Sequence, residues 1–438
     1  MQKFDVLIVG AGMVGLTLAL ALRKQGDVQV ALVDTLELKP VTNAPEVRVS
    51  AINMASKTIF ENLSVWEDIE ASRTQAYQHM HVWDKAGIGE LNFSVNDLGT
   101  IFSSQSNNPG LGWIIENNII RKALFEKASL DSAITFFTQQ KLSSLTTGDR
   151  EVFATFCEPS EQFPTRQLPV LSKLVVGADG ANSWVRKQAD IGLTFKDYDH
   201  HAIVATVKCS QGHQNTAWQV FLPTGPLAFL PLCSSTGDFD TCSIVYSTTP
   251  DDAERLISLE ADEFAKELTA ATDGKLGVVE LVSKRFTYPL KMRLAQSFVK
   301  ERIVLVGDAA HTIHPLAGQG VNLGLLDATS LSQILTKALN NDDSNDSSQY
   351  NDIAEPQNLN SYARWRKSEA TDMIAAMEVI KQTFMVNNDG ISLIRGIGMR
   401  LVDGFKPLKK LLIKQALGFK SSLPLLAAKS NHKTTTKS

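Results

Sequence analysis

The chain is poor in cysteine. It has four in 438 residues, Cys157, Cys209, Cys233 and Cys242, and no two of them stand in CxxC spacing. That excludes a zinc knuckle and a disulfide framework and suits a reducing cytoplasm. There is no excess of either charge: 43 basic residues stand against 47 acidic ones, a net charge of −4, which gives no reason to expect a nucleic-acid partner. The uncharged run Val6–Leu22 stops at 17 residues, short of the roughly 20 apolar residues of a membrane span. Gly10, Gly12 and Gly15 interrupt it, and it divides into a β-branched stretch and an Ala/Leu-rich one, unlike a signal-peptide core.

What remains is the composition of an ordinary globular protein, 43% hydrophobic and 21% charged, long enough for two or three lobes. Phe4–Val9 reads as a buried parallel strand and is followed at once by GAGMVG. Met13–Gln25 then reads as a helix, and Val28–Val33 as a second strand ending on Asp34. Strand, GxGxxG, helix, strand and acid in register form a dinucleotide site. Gly10 makes the tight turn, Gly12 lets the backbone approach a pyrophosphate, and Gly15 lets the helix pack against the sheet. Ala11, Met13 and Val14 complete the loop that opens the helix, whose N-terminus favours phosphate. Asp34, 24 positions beyond Gly10, is placed for ribose hydroxyls. FAD and NAD remain open at this point.

Two further strands end in a glycine and an aspartate. Leu174–Ala178 leads into Asp179-Gly180, and Ile303–Val306 into Gly307-Asp308. In a doubly wound sheet, residues at separate strand ends can reach one extended ligand. The second of these stretches continues through His311, His314, Pro315, Gly318, Gly320 and Gly324. A metal site at the two histidines would need further ligands, and no cysteine or acid cluster beside them supplies any. They are read as turn-shaping residues, with no metal.

The ordered motifs GAGMVG, GADGANSWVR and VGDAAHTIHPLAGQGVNLGLLDA resemble those of the FAD-dependent aromatic hydroxylases of the para-hydroxybenzoate hydroxylase fold. VRVSAINMAS at 47–56, WIIENNIIRKAL at 113–124, WQVFLPTGPLAFLPL at 218–232 and HPLAGQGVNLGLLD resemble the ubiquinone-biosynthesis hydroxylases among them. VRVSAIN, ADGANSWVRKQADI, LTFKDYDHHAIVAT and KQALGF are most similar to the bacterial 2-polyprenylphenol hydroxylase branch, and the demethoxyubiquinol hydroxylases share several of these stretches. The resemblance runs from about residue 3 to 420.

It implies an α/β fold: a Rossmann-like FAD-binding domain from 1–75, 113–194 and 286–358, and a mixed-sheet substrate domain from 76–112 and 195–285. A C-terminal helical region over 359–428 and a flexible tail at 429–438 complete it, with a polar, acidic loop at 340–358. It also implies an NAD(P)H- and FAD-dependent monooxygenase that hydroxylates a polyprenylated phenol with O2, through a flavin C4a-hydroperoxide. NADH or NADPH would dock transiently, in keeping with the lack of a second GxGxxG. The alternatives are hydroxylation of a demethoxyubiquinol, or a flavin-bearing assembly factor without turnover. No WxWxIP-like segment is present to suggest a flavin halogenase.

Carried onto this chain, the resemblance gives Gly10–Gly15 and Asp34 to the adenosine half of FAD. Arg48 reaches the cofactor from a helix after the second strand, and Asp179 and Gly180 lie near the pyrophosphate and a nicotinamide nucleotide. Gly307 and Asp308 meet the ribityl chain. Gly318, Gly320, Val321 and Asn322 line the flavin ring, with Pro315 beside the reacting oxygen. Asn117 stands where many relatives carry arginine, and is kept as a contact. No protein base is assigned, although His200 and His201 near the lobe junction are candidate proton acceptors, with structural histidines as the alternative. Trp218, Phe229 and Pro231 are candidate pocket walls, with plain core as the alternative. From Lys406 onward there are eight lysines and no acid, interleaved with leucines. This is read as a basic surface for an anionic membrane or for proteins of the ubiquinone-biosynthesis complex, or else as a solvated helix. Lys409, Lys410 and Lys414 are the lysines expected to meet the membrane. The protein is expected in the cytoplasm, peripheral on the inner membrane.

Overall fold

The computed structural model describes residues 1–35, 46–98, 110–157, 167–233, 237–313, 320–340, 352–385, 389–419 and 422–428. Nine strands position the site: β1 (Gln2–Val9), β2 (Val30–Asp34), β3 (Leu168–Gly177), β4 (Leu193–Cys209), β5 (Thr216–Leu222), β6 (Gly225–Pro231), β7 (Thr241–Thr248), β8 (Phe286–Ala295) and β9 (Ile303–Leu305). Six helices matter with them: α1 (Met13–Gln25), α2 (Asn117–Ser129), α3 (Gly320–Asn340), α4 (Pro356–Met385), α5 (Asp389–Gly404) and α6 (Lys406–Ala416).

The first sheet runs β9-β3-β1-β2 and then Ile134–Thr138, all parallel, with antiparallel strands added at its margins. Its centre is apolar on both faces because helices cover both. Val6, Leu7 and Ile8 of β1 are fully buried. α1 begins straight after Gly12, has Arg23 and Lys24 in its last turn where the helix dipole favours cations, and packs along α3.

The second sheet is built mainly of antiparallel strands, with β8-β4-β7-β6-β5 as its centre. β8, assigned by its sequence position to the cofactor lobe, pairs with β4 along nearly its whole length, so it belongs to this sheet. One face, carrying Phe229, Ile244, Ala205 and Val207, is sealed by Ala253, Leu256, Phe264 and Leu268 of the helices Pro250–Ser258 and Ala261–Ala271. The opposite face meets α4 and α5: Phe221 stacks on Phe384 at 3.7 Å, and Val82 clusters with Met399. A third, small sheet pairs Val49–Ile52 with Gly112–Glu116, and Gly112–Glu116 with Thr74–Tyr77. It carries both VRVSAIN and WIIE. α4 is longer than the 359–377 helix legible in the sequence, starting at Pro356; most of the polar stretch expected as a loop, 341–351, lies outside the described residues. The tail at 429–438 lies outside the described residues.

Candidate functional site

Parallel pairing aligns the carboxyl ends of the strands: Val9 stands opposite Gly177 and Val33, and Gly177 opposite Leu305. The three motifs therefore meet, and their glycines do the joining. A Cβ on Gly10, whose φ is +111°, would lie 2.4 Å from the Ala178 carbonyl oxygen. One on Gly324 would lie 2.8 Å from a Val14 methyl, and one on Gly307 3.2 Å from the same methyl. Val14 is thus the peg between the first and third motifs.

Asp34 Oδ2 accepts the Ala11 N–H at 2.7 Å, bracing the glycine loop from the end of β2. Arg121, one turn into α2, donates from Nε to the Ala11 carbonyl at 2.8 Å and brings its guanidinium to 3.6 Å from Asp34. Sequence reasoning passed over Arg121 while weighing Asn117, yet the four-residue spacing puts both on one face of a helix. Asn117 is the first residue of α2 and its side chain accepts from Ser50 at 2.6 Å. The cation this helix brings to the loop is Arg121.

Asp179 Oδ2 accepts the N–H groups of Trp184 and Val185 at 2.7 and 3.1 Å, capping a short helix. Its Oδ1 is buried without a hydrogen-bond partner. Arg186, almost wholly buried, ties this turn to the third motif by donating to the carbonyls of Ala309 and Ala181 at 2.8 and 2.9 Å. Asp308 shows solvent on one side and dense protein on the others. That burial lifts its carboxyl above the usual carboxylate range, with Asp327 adding to it and His311 and Arg293 opposing.

Arg48 is on no helix. It stands one residue before the strand Val49–Ile52, and its carbonyl accepts the Asn117 N–H at 3.1 Å. Its exposed guanidinium carbon lies 5.4 Å from the ring centre of Tyr288 on β8, at the junction of the two lobes. Gly320, Val321 and Asn322 open α3 as expected, but the Asn322 side chain is a strut: its amide donates to Ala51 O at 2.8 Å and its oxygen accepts Asn53 N–H at 3.1 Å. His314, Pro315 and Gly318 lie outside the described residues.

His311 faces inward. Its Nε2 lies 2.6 Å from Asp327 Oδ2, which also accepts the Gly307 N–H at 3.0 Å, while Asp327 Oδ1 accepts from Arg366 Nε at 2.7 Å. Asp327 is fully buried; burial alone would raise its carboxyl, but His311 and Arg366 together hold it below the usual range. This carboxylate was not picked out in the sequence, where it reads as one more residue of the helix in GLLDA. Its only signal is an acid within an otherwise apolar helical run. Among the described residues no cluster of His, Cys, Asp or Glu is arranged to hold a metal ion.

The candidate substrate residues lie on the face of their sheet turned away from α4. Phe229 is fully buried in the core under Phe264, and Pro231, two residues on, shares its face. Trp218, opposite Phe229, donates to His213 O at 3.1 Å and rests against His81 and Trp83. Strand alternation puts their neighbours on the face toward α4: Gln219, Ala228, Val245 and Val204 form one row across β5, β6, β7 and β4. His200 is buried with Nδ1 donating to Tyr198 O at 2.7 Å, a structural bond, and His201 follows it on β4 opposite Thr248 and Pro289.

FAD fits what is present. A Cβ on Gly12, Gly180 or Gly320 would meet no atom of the described residues beyond its chain neighbours within 4 Å, so all three leave their backbone open to a ligand. The N-terminus of α1 has no side-chain cap, leaving its N–H groups for phosphate, and Asp179 Oδ1 is buried and unsatisfied. Gly320→Leu is expected to leave the fold intact and yield colourless protein; a yellow, flavin-loaded variant contradicts the assignment.

A profile of the family described as FAD binding domain matches residues 3–373. The 3-demethoxyubiquinol 3-hydroxylase of Escherichia coli (strain K12) is 31% identical, over 95% of this chain and 99% of its own length. Ubiquinone hydroxylase UbiL of Rhodospirillum rubrum is 31% identical over 94% and 89%. The mitochondrial ubiquinone biosynthesis monooxygenase COQ6 of Xenopus tropicalis is 30% identical over 93% and 92%. Among solved structures, p-nitrophenol 4-monooxygenase PnpA from Pseudomonas putida DLL-E4 superposes with a TM-score of 0.73 at 18% identity, over 95% of this chain and 99% of that one. It shares the fold. The chain belongs to the FAD-binding-domain family and is an NAD(P)H- and FAD-dependent monooxygenase.

Proposed function

We propose that this monooxygenase hydroxylates the ring of a polyprenylated phenol in ubiquinone biosynthesis. The observation that carries the reading is full-length similarity to three proteins named for ubiquinone biosynthesis or ubiquinol hydroxylation. The overall change takes phenol, O2, NAD(P)H and a proton to hydroxyphenol, NAD(P)+ and water. Bound FAD supplies the redox chemistry, accepting hydride from the nicotinamide and activating dioxygen.

The chain's own contribution is placement and shelter. Gly10, Gly12 and the opening of α1 hold phosphate, with Asp34 and Arg121 bracing that loop. The first N–H groups of α3 present the positive end of a helix dipole to negative charge on the flavin ring. The apolar row Ala228, Val245 and Val204, rather than Trp218 and Phe229, offers the phenol a dry surface on the side of the sheet that also carries Tyr288. The branch acting on a 2-polyprenylphenol is the first choice of substrate. A demethoxyubiquinol is the second, favoured by the Escherichia coli relative.

The test supplies purified holoprotein with NADH or NADPH, oxygen and each prenylated phenol, and reads products by mass spectrometry. A product heavier by one oxygen atom is expected from one of them. Reductant consumption yielding only hydrogen peroxide with every phenol overturns the reading.

A further inference from the structure

The outer side of α5 and α6 is apolar where a surface helix is ordinarily polar. Among the described residues nineteen large hydrophobic side chains are exposed, and eight of them fall between 393 and 412: Leu393, Ile394, Ile397, Leu401, Phe405, Leu408, Leu411 and Leu412. Ile394 is 71% exposed and Leu401 67%, so these side chains do not rest on a neighbour. Spacings of three and four residues align Ile394, Ile397 and Leu401 on one stripe of α5, and Leu408 with Leu411 and Leu412 on one stripe of α6. So concentrated an apolar patch on a surface marks an interaction site.

Cations flank it. Arg400, Lys406, Lys410 and Lys414 are all exposed. The acid of this stretch, Asp403, is turned to Lys409 at 3.2 Å and to the Asn92 N–H at 2.9 Å. Lys409 itself is nearly buried between Asp403 and Asp97, the latter at 3.3 Å, and so is removed from the membrane-facing set expected from sequence. The inner side of α5 is held down firmly. Arg395 Nε donates to the buried carboxylate of Asp84 at 2.7 Å, and Met399 clusters with Val82 and Phe221 of the second sheet. No described helix is long and apolar enough to cross a membrane.

We infer that this face docks on the surface of a bilayer containing anionic lipid. Ile394, Leu401, Phe405 and Leu411 enter the acyl boundary, and Arg400, Lys406, Lys410 and Lys414 meet the headgroups. Apolar side chains flanked by exposed cations, with Asp403 engaged by Lys409, match an anionic interface. The inference rests on the proposed lipid-borne substrate for its purpose: the same helix that lies on the membrane roofs the substrate sheet from its other side.

Vesicle flotation of the FAD-loaded protein tests it. Full-length protein is expected to float with phosphatidylcholine vesicles containing phosphatidylglycerol, and to float less as salt rises. Neutralising Lys406, Lys410 and Lys414 together to Gln should weaken partitioning by about a hundredfold, at roughly fivefold per lysine. Leu401→Ser with Leu411→Ser should weaken it without changing the net charge. Both variants should keep their flavin and their turnover of a short-chain phenol dispersed in detergent. Binding unchanged in both variants overturns the surface, as does a wild type that fails to float. A dimer split by the variants, with no flotation, also overturns it and assigns the face to a second copy. Flotation by a protein that hydroxylates no phenol retires the proposed substrate and leaves the surface standing.

Discussion

Gly12→Ala should leave the apoprotein's denaturation midpoint within about 0.5 kcal/mol of the wild type and weaken FAD binding by about a hundredfold, whereas Gly15→Ala should destroy both. The backbone at Gly12 has φ −78° and ψ −179°, a region open to any residue, and its added methyl would meet no atom of the described residues beyond its chain neighbours within 4 Å. What that methyl obstructs is the approach of a pyrophosphate. An overpacked contact costs about 3 kcal/mol, which is the hundredfold. At Gly15 the added Cβ would lie 2.0 Å from the Gly10 carbonyl oxygen and 3.3 Å from a methyl of Ile8. Helix and strand must then separate, so the loop fails before any ligand arrives. Chemical denaturation of both apoproteins and flavin titration of the folded one check this. Equal destabilisation by the two substitutions would remove the distinction between a glycine serving the fold and one serving the cofactor.

Asp327→Ala is the second large effect. The carboxylate lies at 0% exposure and is shared by the Gly307 N–H, His311 and Arg366. Deleting it strands a buried guanidinium, and breaking such a pair costs about 3–5 kcal/mol. The denaturant midpoint should fall by that amount and flavin should be lost with it, because the Gly307-Asp308 turn loses its anchor. The pH dependence has a definite sign. The folded-state value of Asp327 is depressed below the ordinary 3.8, so its stabilisation is complete above that pH and fades as pH falls through the lower folded value. Wild-type stability should therefore drop more steeply below pH 3.8 than that of Asp327→Asn. Parallel acid profiles, or an Asp327→Ala protein that keeps its midpoint, would count against this network as the anchor of the turn.

How much of this was legible depends on how local each signal is. α1 occupies the span expected from sequence, Met13–Gln25, since glycine spacing and helical periodicity are written within 20 residues. The meeting of Gly10 with Ala178 and of Val14 with Gly307 follows from strand order, and the repeated strand-Gly-Asp pattern pointed to it. Which face of the second sheet the helices cover was not legible. In GPLAFLP every second residue faces one way, and nothing local says that Leu227 and Phe229 turn toward two covering helices while Ala228 turns away. Large aromatics drew attention, and large aromatics are what a core consumes. Asp327 and Arg121 were passed over for a related reason: their partners lie 39 and 110 residues away.

Those long separations bear on how the protein is made. β1 and β2 leave the ribosome before their partners, so β1 lacks its neighbour on one side until β3, ending at Gly177, has emerged. That strand in turn waits for β9, ending at Leu305, and Asp327 waits for Arg366. The nucleotide loop is therefore translated long before Arg366, the last of the residues that seat it, exists. Pairing at such separation is slow, and the nascent apolar strands remain open to misassociation meanwhile. Flavin capture thereby waits on Arg366 in biogenesis, and a chain terminated ahead of that residue would leave the ribosome with its binding loop written but unable to retain the cofactor.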